Sequence, residues 1–391
     1  MTRIFVVRHA EAEGNLYRRI HGHYDSAVTR NGQRQIAALA RRFEGETVDI
    51  CYSSDLIRTR ATAQAVCGPK GLPLHLDPRF REVNLGVWED QPFGCLGRVD
   101  PVMLARFDAD PYNWHVEGAE DFEAYSGRFL TALREAARAN PDRTVAVFAH
   151  GSVIRAMQLC LFYSLETIGE LGHCDNTGVS LLEYEDGAFR AVYLNDNSHL
   201  SSEISTLARQ NWWRKQGDRR DRNLWYRPMT PDAAWYGACR REAWEALYGP
   251  APDFDSGAFY RGALNEAQRE PEALCDVMLE DQRVGLLQLS PSVDARDGAG
   301  YIAFLYLLPA YRGQGLGVQL IGQAVSVYRR LGRSCLRLGV SPHNAPALAF
   351  YQKYGFAPSG HVPGRYGSLL RMDLDIVPEH SFRRLEAVDV S

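Results

Sequence analysis

Apolar residues in this chain fall into two kinds of pattern. Short unbroken runs such as Ile4-Phe5-Val6-Val7 and Thr144-Val145-Ala146-Val147-Phe148 read as buried strands. Between them, apolar positions recur at helical spacing. Thr29 stands at an N-cap position, and Ile36, Leu39, Ala40 and Phe43 follow along one face. Further helical stretches run over about 122–139 and from Val153 onward. Strands alternating with helices predict a mostly parallel sheet with helices on both faces. This is a three-layer α/β/α domain over residues 1–205.

A second pattern starts near Asn223. Strands are expected at 224–227, 274–279, 284–289 and 301–307. A helix is expected from about Gly315 to Leu331, with Leu320, Ala324, Val327 and Leu331 on one face and Gly332 as its stop. A strand at 335–340 and a helix from about Asn344 follow. The pattern predicts a smaller α+β domain with a mixed, strongly twisted sheet over 223–376. Residues 206–222 are expected to link the domains and 377–391 to form a tail. Within the linker, residues 211–222 are basic and lack apolar periodicity. They read as a solvated connection, with a basic–aromatic patch for RNA or an anionic ligand as the alternative.

Composition narrows the function. The 391 residues are too many for one ordinary core, and a hydrophobic content of 45% is that of a globular chain. A net charge of −4 gives no electrostatic case for a dedicated nucleic-acid binder. No apolar run approaches the roughly 18 residues needed to span a bilayer. Four consecutive apolar residues before Arg8 are too few for a signal peptide, so a cytoplasmic location is expected. The eight cysteines are scattered singly, with no CxxC pair and no Cys/His cluster at zinc spacing. Reduced thiols and no bound metal are expected.

Arg8-His9 follows the first strand directly, and His150-Gly151 follows the strand at 144–149. In an open parallel sheet, ligands bind beyond the carboxyl ends of the strands. If the two strands are neighbours, two imidazoles and a guanidinium converge on one crevice. These residue types suit phosphoryl transfer. A neutral imidazole attacks a phosphate monoester without charge repulsion and forms a covalent intermediate. Guanidinium groups grip phosphate oxygens and neutralise charge in the transition state. A carboxyl group must then protonate the leaving oxygen and later deprotonate water.

The run Arg8-His9-Ala10-Glu11-Ala12-Glu13-Gly14-Asn15 resembles the signature of the histidine phosphatase superfamily, the phosphoglycerate-mutase-like proteins. The resemblance continues in the family's order through His21-Gly22, Asp25, Thr29, Gly32, Ser53-Ser54-Asp55-Leu56-Ile57-Arg58-Thr59-Arg60, Arg81-Glu82, Gly86, Trp88-Glu89, Gly118-Ala119-Glu120 and Ala149-His150-Gly151. It implies that fold for about the first 200 residues. It also implies His9 as the nucleophile, Arg8, Arg58 and His150 as the phosphate pocket, and Glu82 as the proton donor. Asn15, Gly22, His21 and Gly151 match positions beside the substrate, and Arg60 is a further substrate contact. Ala10 and Ala12 replace the family's more usual Gly and Thr, and His21 stands where Gln is common, which implies altered substrate choice. The short segment after Glu82 resembles the phosphatase branch more than the mutase branch.

In the second half, Arg312-Gly313-Gln314-Gly315-Leu316-Gly317 follows a strand and opens a helix. Such glycines let backbone N–H groups approach a pyrophosphate at the positive helix end. The spacing is not GxGxxG, which argues against a dinucleotide fold. The longer run Leu308-Pro309-Ala310-Tyr311-Arg312 to Gly317 resembles the acyl-CoA motif of the GNAT family of N-acetyltransferases. Asn344-Ala345-Pro346-Ala347-Leu348-Ala349-Phe350-Tyr351 to Phe356 resembles that family's next motif. The resemblance implies acetyl-CoA as cosubstrate, held between splayed central strands. It implies a backbone N–H at Leu307 or Leu308 for the oxyanion, and Arg312 with the N–H groups of Gly313, Gln314, Gly315, Leu316 and Gly317 for the pyrophosphate. Asn344 matches a pantetheine contact and Tyr351 a general acid for the leaving thiolate. Phe350, Tyr354 and Phe356 read as core. The general base stays open among Glu266, His343, other acids and a water.

The expected protein is a bifunctional enzyme. A metal-independent phosphomonoester hydrolase is fused to an acetyl-CoA-dependent N-acetyltransferase, with a small phosphomonoester and an amine as partners and neither nucleic acid nor membrane. Two alternatives remain: a second domain that senses acetyl-CoA without transferring acetyl, and a phosphoglycerate-type mutase.

Overall fold

The computed structural model describes residues 1–210, 222–250, 254–364 and 367–382. The basic stretch at 211–221 lies outside the described residues. Among the described residues, 1–91, 96–210 and 378–382 gather into one compact unit, and 92–95 with 222–377 into another.

The first unit is built on β1 (Thr2–Arg8), β2 (Ile50–Ser53), β3 (Leu74–Leu76), β4 (Thr144–Ala149), β5 (Val179–Glu185) and β6 (Ala188–Asp196), in the order β3-β2-β4-β1-β5-β6. The strands β3, β2, β4 and β1 run parallel, and β5 and β6 add an antiparallel edge. Arg8 lies opposite Ala149, so His9 and His150 leave adjacent strand ends side by side.

Strand alternation divides this core in two. Phe5, Val7, Ala146 and Phe148 face Leu39 and Phe43 of α1 (Arg30–Phe43) and Ala63 and Val66 of α2 (Ile57–Lys70). Ile4, Val6, Val145 and Val147 are fully buried on the opposite face, where α3 (Phe122–Arg138) and α4 (Gly151–Phe162) pack. Each such side chain contributes about 1.5–3 kcal/mol of burial. The three layers are those the sequence predicts. Thr29 caps α1 by accepting from the Gly32 N–H at 3.0 Å. Residues 378–382, expected as part of a tail, form a helical turn whose Phe382 packs with Ala10, Val28, Ile57 and Ala61.

The second unit holds β7 (Leu224–Pro228), β8 (Leu274–Leu279), β9 (Gln282–Ser290), β10 (Ala299–Leu307), β11 (Cys335–Val340), β12 (Ala357–Gly364) and β13 (Gly367–Asp375), in the order β12-β13-β11-β10-β9-β8-β7. The helices α5 (Ala233–Tyr248) and α6 (Gly257–Arg269) cover one face, packing Tyr236, Cys239 and Ala263 on Leu274, Leu286 and Tyr306. On the other, the Tyr328 ring of α7 (Gly317–Arg330) lies so close over Gly300 that a Cβ there would collide with it. The last helix, α8 (Ala345–Lys353), starts at its N-cap Asn344.

The strands β10 and β11 pair in parallel from Ala299 to Tyr301 against Cys335 to Arg337. Beyond that point β10 continues against β9 and β11 against β13. The central strands therefore splay, helped by a register shift in β10 between Ile302 and Phe304. The helix α7 begins at Gly317 rather than Gly315. Gly313 and Gly315 take φ of +73° and +77°, which a right-handed helix excludes. No helix among the described residues is long and apolar enough to cross a membrane. All eight cysteines are free.

Candidate active sites

At the ends of β1 and β4, the rings of His9 and His150 lie with centroids 5.2 Å apart. His9 Nδ1 is 2.7 Å from the Ala10 carbonyl oxygen. A carbonyl accepts and never donates, so Nδ1 carries the proton and the Nε2 lone pair is free. Burial, then the charges of Arg58 and Arg8, hold the His9 imidazole well below its ordinary pKa. Burial and Arg58 do the same for His150. Both rings are therefore neutral near pH 7. Both ring nitrogens of His150 and Nε of Arg8 are buried without a hydrogen-bond partner among the described residues. Buried polar atoms are nearly always satisfied, so these mark a place for ligand oxygens.

Arg58 lies in the first turn of α2 and is 1% exposed. It donates to the carbonyls of Gly22 at 2.6 Å and Tyr24 at 3.0 Å. The Asp25 carboxylate, 4.0 Å away, accepts the Ile57 N–H and so caps α2, whose N-cap residue is the apolar Leu56. Arg8 donates to the Cys174 carbonyl at 2.5 Å. Its guanidinium lies against Gly151, where a Cβ would stand 3.2 Å from its central carbon.

Glu82 arrives from a separate loop. Its carboxylate accepts the N–H groups of Ser152 at 3.0 Å and Val153 at 3.1 Å. His150 is the N-cap of α4 but makes no side-chain cap. Glu82 fills that role at the start of α4. Arg128 fixes the loop by donating to the carbonyls of Arg79, Arg81 and Glu82.

The remaining residues singled out from sequence are placed as follows. Asn15 Oδ1 accepts the Ala12 N–H at 3.1 Å. His21 stacks on Tyr24 and its Nε2 is 3.2 Å from Asp90. Arg60 turns its guanidinium onto the Phe382 ring, 4.6 Å from the centroid. Sequence reasoning gave no role to Glu89, which accepts the N–H groups of Gly22, His23 and Tyr24 and so builds the loop that holds Arg58. Nor did it find Asn176, which donates to the His9 carbonyl at 3.0 Å. Glu89 lies inside a matched motif, whereas nothing local marks Asn176.

In the second unit, the N–H groups of Gly313, Gln314, Gly315 and Leu316 donate to no protein acceptor among the described residues. They precede the N-terminus of α7, the arrangement a pyrophosphate requires. The Leu308 N–H is spent on the Val284 carbonyl at 2.8 Å. Neighbouring strand residues aim their N–H groups to opposite sides. The Leu307 N–H therefore faces the gap left by the splay. Arg312 is engaged by protein groups: it donates to the Leu307 carbonyl at the end of β10 at 2.8 Å and pairs with Glu242 of α5 at 2.6 Å. Gln314 donates to the Ala310 carbonyl at 2.6 Å. Asn344 Oδ1 caps α8 through the Ala347 N–H. Glu266 is engaged by Ser292. Burial pushes the Tyr351 phenol up to about 12.

Two folds and two sites thus share one chain, one suited to phosphate esters and one to an acyl-CoA. Residues 4–197 match the histidine phosphatase superfamily (branch 1), and residues 235–356 match the acetyltransferase (GNAT) family. Phosphoserine phosphatase 1 of Hydrogenobacter thermophilus is 29% identical over 201 residues, covering 51% of this chain and 95% of that one. A protein of the same organism named "Putative phosphoserine phosphatase 2" is 30% identical over 201 residues, covering 51% and 98%. The solved structure of Bacillus stearothermophilus YhfR superposes with a TM-score of 0.50 at 27% identity, covering 51% of this chain and 100% of that one. The chain belongs to the histidine phosphatase superfamily through its first half and carries a GNAT acetyltransferase domain in its second. It is an enzyme that joins a phosphatase domain to an acetyltransferase domain.

Proposed function

We propose that the first unit hydrolyses phosphomonoesters through a phosphohistidine at His9, and that the second transfers an acetyl group from acetyl-CoA to an amine. The observation that carries the first half is the neutral His9, its proton pinned to Nδ1, beside buried and unpaired donors of His150 and Arg8. Nε2 of His9 attacks phosphorus and the ester P–O bond breaks. The Glu82 carboxyl gives its proton to the leaving oxygen. Arg8, Arg58 and His150 hold the phosphoryl oxygens. The Glu82 carboxylate then takes a proton from water, the water oxygen bonds to phosphorus, and the P–N bond breaks. Phosphate leaves and His9 is neutral again.

In the second unit, acetyl-CoA supplies an activated thioester and a pyrophosphate handle. The N–H groups of Gly313 to Leu316 are placed to hold the handle, and the Leu307 N–H to stabilise a developing oxyanion. Tyr351, at about 12, stays protonated but stands well above a thiol of about 8.5. It hydrogen-bonds the leaving sulfur rather than surrendering its proton fully.

The test is phosphate release from phosphoserine, sugar phosphates and nitrophenyl phosphate. Turnover that His9→Ala removes supports the hydrolase, and turnover that survives it overturns the phosphohistidine. Free phosphate from 3-phosphoglycerate, instead of an isomer, separates hydrolase from mutase.

A further inference from the structure

The wall of the second unit that covers Phe304 and Tyr306 holds a cation with no acid beside it. Arg240 lies on α5. Its Nε donates to the Tyr236 hydroxyl at 3.1 Å and its Nη2 to Gln288 Oε1 at 2.6 Å. Its guanidinium carbon is 4.0 Å from the Phe304 ring centroid, 5.1 Å from that of Phe259 and 5.5 Å from that of Tyr236. Burial disfavours its charge, and no carboxylate among the described residues pairs with it. The neighbouring arginines are neutralised: Arg312 by Glu242 at 2.6 Å and Arg283 by Asp232 at 3.0 Å. A largely buried charge is normally paired. Aromatic rings and two neutral acceptors recover part of its lost hydration and leave its net charge unmatched.

Position along the strand says what matches it. Gln288 lies opposite Phe304, three residues before Leu307 on β10. At about 3.3 Å per residue the separation is roughly 10 Å. A guanidinium–carboxylate hydrogen bond, an amine about 3 Å from the acetyl carbon, and the hydrogen bond from the Leu307 N–H to the acetyl oxygen all fall within such a short path. Carboxylate and amine are therefore close together, as they are in a short amino acid. One unpaired guanidinium also matches one negative charge. A phosphate dianion calls for a second free cation, and Arg312 and Arg283 are already spent.

We infer that Arg240 anchors the carboxylate of the acetyl acceptor, and that this acceptor is an amino acid or a similar amine bearing a carboxylate. The inference rests on the transferase reading above. It is tested on the full chain by thiol release from acetyl-CoA with amino acids, the matching amino acid amides and phosphoethanolamine. The wild type should favour the free carboxylates at least tenfold in kcat/KM. Arg240→Met should abolish that preference, raising KM for the acids at least tenfold while KM for acetyl-CoA and for the amides holds. Calorimetry of the wild type with N-acetyl amino acids and their amides gives a readout free of any variant's folding, and the acids should bind more tightly. Equal use of acids and amides, preference for phosphoethanolamine, or equal loss of both substrates in Arg240→Met overturns the anchor and leaves the transferase standing. No thiol release with any amine overturns the transferase reading as well.

Discussion

On the reading proposed above, the two candidate sites would hold phosphate oxygens in different ways. The first draws Arg8, His9, Arg58, Glu82 and His150 from distant segments and buries most of them. The second uses the backbone of one loop, Gly313 to Leu316, exposed except at Leu316. The difference follows from where the phosphorus sits relative to the reaction. When phosphorus is the reacting atom, charge grows on its oxygens, and fixed cations in a water-poor crevice act most strongly. A pyrophosphate that only tethers a cosubstrate needs no more than oriented N–H groups at a helix start. Side-chain deletions should therefore cripple the first site, and backbone conformation should govern the second.

The largest effect expected is in the first site. His9→Ala should lower phosphomonoesterase turnover by roughly a thousandfold or more, measured as phosphate release, with acetyl transfer unchanged. Glu82→Gln comes next. It should cost about a hundredfold in turnover, and about 1 kcal/mol or less in melting because an amide oxygen still caps α4. An intact rate in Glu82→Gln would remove the proton donor from the first site and blur the contrast. Acid should also separate the two units. His9 and His150 have folded pKa values well below about 6.5, so the unfolded chain binds protons more readily. Their contribution is intact above about pH 6.5 and is lost as pH falls toward the folded values. One pH unit below the ordinary value, each ring costs about 1.4 kcal/mol. Melting followed across pH should show this loss, with a shallower slope in His150→Asn. The smallest change tests the loop. Gly315→Val strains a φ of +77° and should raise KM for acetyl-CoA about tenfold with little change in phosphatase rate.

Much of this was legible because local pattern and global placement agree. The unbroken apolar runs Ile4 to Val7 and Thr144 to Phe148 predict strands whose ends carry His9 and His150, and the register shows their adjacency. Other features obey contacts that no window of sequence contains. Glu82 reaches the N–H groups of Ser152 and Val153 across about 70 positions. The strand β12 contains Pro358, Gly360, Pro363 and Gly364, residues that argue against a strand. It survives because it lies at the sheet edge, with a register shift between Pro358 and Gly360. The hairpin of β5 and β6 was signalled yet passed over. Asp186-Gly187 takes φ of +51° and +86°, the turn that Asp-Gly favours between strands. The wall containing Arg240 gave little warning, since only Tyr236 and Cys239 of α5 are fully buried.

Phe382 has a practical consequence for anyone dividing this enzyme. A cut made between the two pattern regions yields an amino-terminal fragment without the ring that packs on Ala10, the residue next to His9. Loss of phosphatase activity in such a fragment would then register a missing piece of its own interior, not dependence on the acetyltransferase. A fair dissection keeps both outer segments and excises the middle, joining residue 210 to residue 378 through a synthetic bridge.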